Sequence, residues 1–297
     1  MFKSIKDLVT QAEEQQASIS DIMIIQEIEQ TGCPRDKVLR QMARNFQVMK
    51  ASAQSGIKGV TSHSGMTGGD AKKLDSYIRA GNYLTDSTFL RALNYAIAIN
   101  EVNASMGLIC ASPTAGSCGT LPGVLLAAQE KLQASDEQIV HSLFTAGAIG
   151  YVIANNAFIS GAAGGCQAEV GVASAMAAAA VTELAGGSPA QSAHAMAIAL
   201  KNMLGLTCDP LAGLVEVPCI KRNAAGAANA LAAAEMALAG IESRVPWDEV
   251  IEAMYRIGQG MPQNVRETAQ GGLAATQTGK QWKQLLWSAA DQGSQRG

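Results

Sequence analysis

The 297-residue chain predicts an all-α fold: a single helical domain over 1–297, with buried Ala-rich central helices and functional loops at helix ends. Three observations carry this. Apolar residues recur at helical spacing along the chain, and no sustained apolar/polar alternation marks a strand. Aromatic residues make up only 4%, so the core must be built from Ala, Leu, Ile, Val and Met, and small side chains let helices pack closely. Charged residues are 16% of the chain, against roughly 25% in ordinary soluble proteins. Either most of the chain is interior, or another chain covers part of its exterior.

Taken in order, Ser4 and Ser20 each precede an amphipathic run, and Gly32 ends the second. Pro34 opens a third helix with Val38, Met42, Phe46 and Met49 on one face, and Gly56 is predicted to stop it. A loop over 56–69 includes Ser62-His-Ser-Gly-Met-Thr-Gly-Gly69. A helix over 72–79 follows, then a longer one from Ser87 with Leu90, Leu93, Ile97 and Asn100 in register. The chain breaks at Ala111-Ser-Pro-Thr-Ala-Gly-Ser-Cys-Gly119 and resumes as helix over 125–132. Ser135 with Gln138, and Ser188 with Gln191, fit the capping box. Gly186, Gly187 and Gly205 are stops, and 292–297 reads as a disordered polar tail.

Composition excludes several classes. A formal net charge of −3 with no basic face argues against nucleic acid as a partner. Six cysteines in a chain this long are not a disulfide scaffold, and the N-terminal run is amphipathic rather than a signal peptide; the reading is cytoplasmic with reduced thiols. No Asp, Glu, Lys or Arg falls between Glu137 and Glu169, longer than the ~20 residues that cross a bilayer. The stretch nevertheless contains His141, Asn155, Asn156 and the Gly161-Ala-Ala-Gly-Gly165 breaker, and lacks flanking basic or aromatic belts. It predicts a helix buried within a bundle, with no membrane partner.

The chemistry centres on Cys208-Asp-Pro-Leu-Ala-Gly-Leu-Val-Glu-Val-Pro-Cys219. Pro210 and Pro218 fix φ and remove donors while Gly213 admits unusual conformations, so the segment holds an irregular shape with a thiol at each end. Lys221-Arg222-Asn223 follows and opens an Ala-rich helix. Cys166, behind a Gly-rich turn, also sits at a helix boundary, where free amides can reach sulfur ligands. Thiolates on a stiff loop beside cations suggest a metal or cluster site receiving an anionic ligand. The separations, 42 residues from Cys166 to Cys208 and 11 to Cys219, are not those of zinc ribbons or bacterial ferredoxins. Cys33, Cys110 and Cys118 read as small buried hydrophobes.

Three stretches, Gly165-Cys-Gln-Ala-Glu-Val-Gly-Val-Ala-Ser-Ala-Met-Ala-Ala-Ala179, Gly205-Leu-Thr-Cys through Arg222-Asn223, and Arg266-Glu-Thr-Ala-Gln-Gly-Gly-Leu-Ala274, closely resemble the iron–sulfur-dependent L-serine dehydratases. The similarity is to the alpha subunit of the two-chain form and runs from about the Gly56 loop to Ala274. The resemblance implies an all-helical catalytic domain, with Cys166, Cys208 and Cys219 holding a [4Fe-4S] cluster that does no redox turnover. It implies conversion of L-serine to pyruvate and ammonia in amino-acid catabolism and gluconeogenesis, and a separate beta subunit. Single-chain relatives end in a cysteine that can cap the cluster; here Gly-Ser-Gln-Arg-Gly297 carries none, so a tail-cysteine cap is not expected.

Three thiolates on four irons leave one iron open as a Lewis acid for the departing hydroxyl. A base must take the α-proton, and the developing anion beside the carboxylate needs donors. Ser112, Thr114, Gly116 and Ser117 offer hydroxyls and amides suited to cradling a carboxylate, and the resemblance extends to Pro113, Thr114 and Gly116. Lys72 and Arg222 are cations that could pair with it. His63, in its Gly/Ser loop, is the local base; the resemblance offers instead a Ser-Ser-His-Thr segment on the beta chain. His141 and His194 read as core or helix-face residues. Glu169, Asp209 and Glu216 either orient ligands and loops or are ordinary cap carboxylates. A pyridoxal-phosphate lyase is disfavoured by the missing strand–helix alternation. Two alternatives stay open: a related cluster-dependent cysteine desulfidase, and a non-catalytic iron–sulfur subunit.

Overall fold

Local signals in the sequence start and stop most helices of the computed structural model, which describes residues 2–294. Ser4 caps α1 (Ile5–Glu14) by accepting the Asp7 amide, and Ser18 caps α2 (Ile19–Thr31) through Asp21, with Gly32 in the left-handed conformation at its end. Then come α3 (Arg35–Lys58), α4 (Asp70–Ala80), α5 (Ser87–Ala104) and α6 (Thr120–Leu132). Both predicted capping boxes form, opening α7 (Asp136–Asn156) and α10 (Pro189–Asn202). Between them lie a single-turn α8 (Gly161–Gly164), a π-helical turn Gln167–Gly171, and α9 (Val172–Leu184). The chain closes with α11 (Cys219–Leu238), α12 (Trp247–Gly260) and α13 (Gln277–Ser294). Among the described residues the only extended pairings are two isolated bridges, Thr61 with Gly68 and Cys208 with Arg266.

The core forms around α9, which is buried from Val172 to Thr182 and is packed by α6, α7, α10 and α11. A helix apolar on every side has to be interior. The uncharged stretch is thus divided among α7, α8 and the π turn, and among the described residues no helix is long and apolar enough to cross a membrane.

Three boundaries depart from sequence expectation. Ser20 lies inside α2, buried, because Ser18 takes the cap two residues earlier. Gly56 does not stop α3: the helix runs on to Lys58 and turns at Gly59. Gly56 is instead a contact point, where a Cβ would stand 2.2 Å from the Ala98 carbonyl oxygen of α5. Helix α6 also begins at Thr120, inside the loop end that the sequence leaves irregular. Of the expected tail, residues 292–294 belong to α13, and 295–297 lie outside the described residues.

Candidate metal centre

Cys166 follows Gly165, whose positive φ of 75° turns the chain out of α8. A Cβ at Gly165 would lie 2.5 Å from the Met261 sulfur, so both backbone angle and space demand glycine. Gln167, fully buried, fixes the start of the π turn: its side chain donates to the Met254 carbonyl and accepts the Gly205 amide. Cys208 is held in the parallel bridge, donating its amide to Val265 while its carbonyl accepts from Glu267, both at 2.9 Å. Cys219 is the first residue of α11.

These elements bring the Cys166 and Cys208 sulfurs and a Glu169 carboxylate oxygen within 4.8 Å of one another, all three residues buried. Cys219, buried beside them, is near enough for charge on Cys166 and Glu169 to act on its thiol. All six cysteines are free thiols. Cys208 holds its proton firmly, because it shares that proton with Cys166 and is buried; Cys166 is correspondingly held down by the same contact, helped by the nearby Arg222 guanidinium. Burial also pushes the Cys219 thiol up.

The donor set fits an iron–sulfur cluster. Thiolates are the ligands such clusters take, and a buried thiol that ionises with difficulty alone ionises readily against a metal. Space is reserved as well: at Gly161 a Cβ would lie 3.0 Å from the Cys208 sulfur and 2.6 Å from a Glu169 oxygen.

Around this centre stands the 112–119 loop. Thr114 donates its hydroxyl to Glu169 Oε1 at 2.7 Å and lies 3.2 Å from the Ser117 hydroxyl. Ser117 is fully buried and donates to the Ser112 carbonyl, while the buried Ser112 hydroxyl has no hydrogen-bond partner among the described residues. Gly116 brings its backbone to Glu169, where a Cβ would approach Oε1 to 3.0 Å. Thr114 and Gly116 thus meet Glu169, and Ser112 and Ser117 are tied to them within the same loop.

The predicted cations divide. Arg222 stands at the thiols, ion-paired with Asp209 at 2.8 Å and donating to the Thr207 carbonyl at 2.7 Å. Lys72 is exposed on α4 with its stem against Gly59, and no contact joins it to the thiols among the described residues. His63 is exposed and lines an apolar groove of about 380 Å³ with Ser64, Ala212, Leu214, Leu286 and Trp287. Its loop is fastened to the cysteine segment by Glu216, which accepts from Ser64 at 2.8 Å and Thr67 at 2.7 Å. Asp209 fastens the other side, accepting the Leu273 amide at 2.8 Å. Glu216 and Asp209 thus orient loops, one of the two roles the sequence left open.

Three residues escaped sequence reasoning. Asn223, fully buried, accepts from the Gly119 and Thr120 amides and donates to the carbonyls of Gly116 and Cys219, tying the 112–119 loop to α11. Glu267, at a positive φ of 61°, places a carboxylate oxygen 3.1 Å from where a Gly161 Cβ would be. Gly161 itself makes the room. A polar residue on the first turn of an Ala-rich helix was the available signal for Asn223; nothing local marks the other two.

A family profile described as "Serine dehydratase alpha chain" matches residues 14–274. The chain belongs to that family. It is 60% identical over 290 residues to the "Probable L-serine dehydratase, alpha chain" of Bacillus subtilis (strain 168), covering 98% of this chain and 97% of that one. It is 42% identical over 282 residues to the "L-serine dehydratase, alpha chain" of Peptoniphilus asaccharolyticus, covering 94% and 96%. Similarity to "L-serine dehydratase 2" of Escherichia coli (strain K12) is 38% over 284 residues, 92% of this chain but 61% of the relative. The longer relative carries a further portion that this family member does not match.

Proposed function

We propose that this chain is the cluster-bearing alpha subunit of an L-serine dehydratase, converting L-serine to pyruvate and ammonia with a [4Fe-4S] cluster held by Cys166, Cys208 and Cys219. The observation that carries the reading is the convergence of the buried Cys166 and Cys208 thiols and Glu169, with buried Cys219 close enough to feel their charge, in a member of this family. When bound, the cluster supplies a Lewis-acidic iron for the departing hydroxyl.

The chain's own residues supply the rest. Ser112, Thr114 and Ser117, with the amides around Gly116, form a donor-rich wall next to the thiols that suits the substrate carboxylate. Arg222 adds positive charge on that side while holding Asp209, so it supports the carboxylate through the field more than by a free fork. His63 is the nearby residue able to accept the α-proton, and its exposed groove leaves room for a partner chain to complete the site. A beta subunit is the proposed partner: the alpha-chain naming of the relatives implies one, and Leu285 and Trp287 stand 61% and 62% exposed next to the groove. The site is assigned to the cytoplasm, where thiols stay reduced.

The test is co-expression with the candidate beta chain, anaerobic reconstitution and assay of pyruvate from L-serine. Turnover that requires both chains and the cluster supports the proposal; full activity from a cluster-free preparation removes it. His63→Ala in the two-chain enzyme separates the two bases: near-normal rates would assign proton removal to the partner.

A further inference from the structure

We propose that Glu169 is itself a ligand of the cluster, occupying through Oε2 the iron that three cysteines leave open until substrate displaces it. The inference rests on the cluster assignment above and adds a fourth protein ligand to it.

Placement comes first. Cys166 and Glu169 are three residues apart at the π-helical turn, and a Glu169 carboxylate oxygen and the Cys166 and Cys208 sulfurs all lie within 4.8 Å of one another. Thr114 takes Oε1. Oε2 has no hydrogen-bond partner among the described residues and points toward Gly161, where the missing side chain leaves it clear of obstruction. One oxygen is therefore anchored, and the other shares the space at Gly161 with the Cys208 sulfur.

Charge comes second. A buried carboxylate needs a cation or a proton. Glu169 is 8% exposed, and the neighbouring cation, Arg222, is spent on Asp209. A metal ion at the thiols supplies the missing positive charge.

No fourth thiol competes for the position. Cys118 is in the main core with the Asn100 amide on its sulfur, and Cys33 and Cys110 pack against that same core. A carboxylate binds iron more weakly than a thiolate does, which suits a ligand that must yield to an incoming hydroxy amino acid. The exchange would balance: Glu169 would release the iron as the substrate hydroxyl took its place.

The test compares wild-type and Glu169→Gln protein, both anaerobically reconstituted without serine, by electron–nuclear double resonance of the reduced cluster in isotope-labelled water. Wild type is expected to show no coupling from water oxygen and the variant to gain it; the same water coupling in both overturns the inference. If the variant does not retain a cluster, cobalt(II) titration of the two apo-proteins decides. The expected loss of affinity is at least about tenfold, the minimum seen even for outer-shell changes, and equal affinities overturn the inference. Wild type that binds no cluster under any condition overturns the parent assignment along with it, whereas a loaded wild type carrying labelled water overturns the glutamate ligand alone.

Discussion

At the residue scale the six cysteines separate by their surroundings. Cys118 is fully buried in the main core, and burial pushes its thiol up to about 12, so it stays neutral packing. Cys166 and Cys208 share a smaller apolar cluster with Val170 and touch each other. We expect Cys208→Ala to abolish iron binding and visible absorbance, while Cys118→Ala retains both; colour retained in the first variant would contradict the assignment. Gly161→Ala tests the space rather than the ligands. Its new methyl would meet Glu169 and Cys208, so iron loading should drop by at least about tenfold with little change in the far-UV spectrum of the apo-protein. Cys166 and Cys208, which the structure brings together, stood out in the sequence because prolines, glycines and a basic run surround them. Glu169 was only half legible: it closes the uncharged stretch, yet its position against the sulfurs depends on the π turn, which leaves no pattern in sequence.

At the element scale, most helix starts were legible because their caps are local: Ser4, Ser135 and Ser188 bind amides three residues on. The misplacements at Ser20 and Gly56 share a different cause. Each residue answers to a neighbouring helix rather than to its own ends, Ser20 through burial beside His141 and Gly56 through contact with Ala98. Tertiary packing of this kind cannot be read from one window of residues. Asn223 belongs to the same category, since it joins α11 to the loop before α6. Asn223→Ala would strand the buried Gly119 donor and leave the Thr120 amide and the Gly116 carbonyl with only their longer bonds to Ser117 and Asn100. We expect a loss of about 3 kcal/mol, at the level of one to three unsatisfied groups, measured by denaturant unfolding of the apo-protein; a loss below 1 kcal/mol, after allowing for the roughly 10–15% error of extrapolation, would show the link to be dispensable.

His194 adds a pH dependence between elements. Its Nδ1 accepts from the Ser243 amide at 3.1 Å and from the Trp247 indole at 3.0 Å, pinning the α11–α12 connection to α10. An acceptor nitrogen must be unprotonated, and burial holds His194 below the ordinary 6.5. As pH falls, the unfolded chain therefore takes up the proton first. The contribution is fully present above 6.5 and declines below it toward the lower folded value. His194→Gln should flatten that part of the stability-versus-pH curve; an unchanged slope would place the titration elsewhere.

For the molecule as a whole, apolar residues at helical spacing without strand-like alternation pointed to the all-helical body, and low charge with few aromatics to its Ala-rich centre. The site is assembled from segments far apart in sequence, Thr114, Cys166, Cys208, Cys219 and Glu267, and no local rule predicts which of them meet. Their meeting point is the central claim. The most direct measurement is the visible absorption spectrum of anaerobically reconstituted protein, recorded before and after L-serine, alongside variants at Cys166, Cys208 and Cys219. The account predicts a brown chromophore that all three substitutions remove and that serine perturbs. A chromophore surviving any of the three changes, or one indifferent to serine, would contradict it.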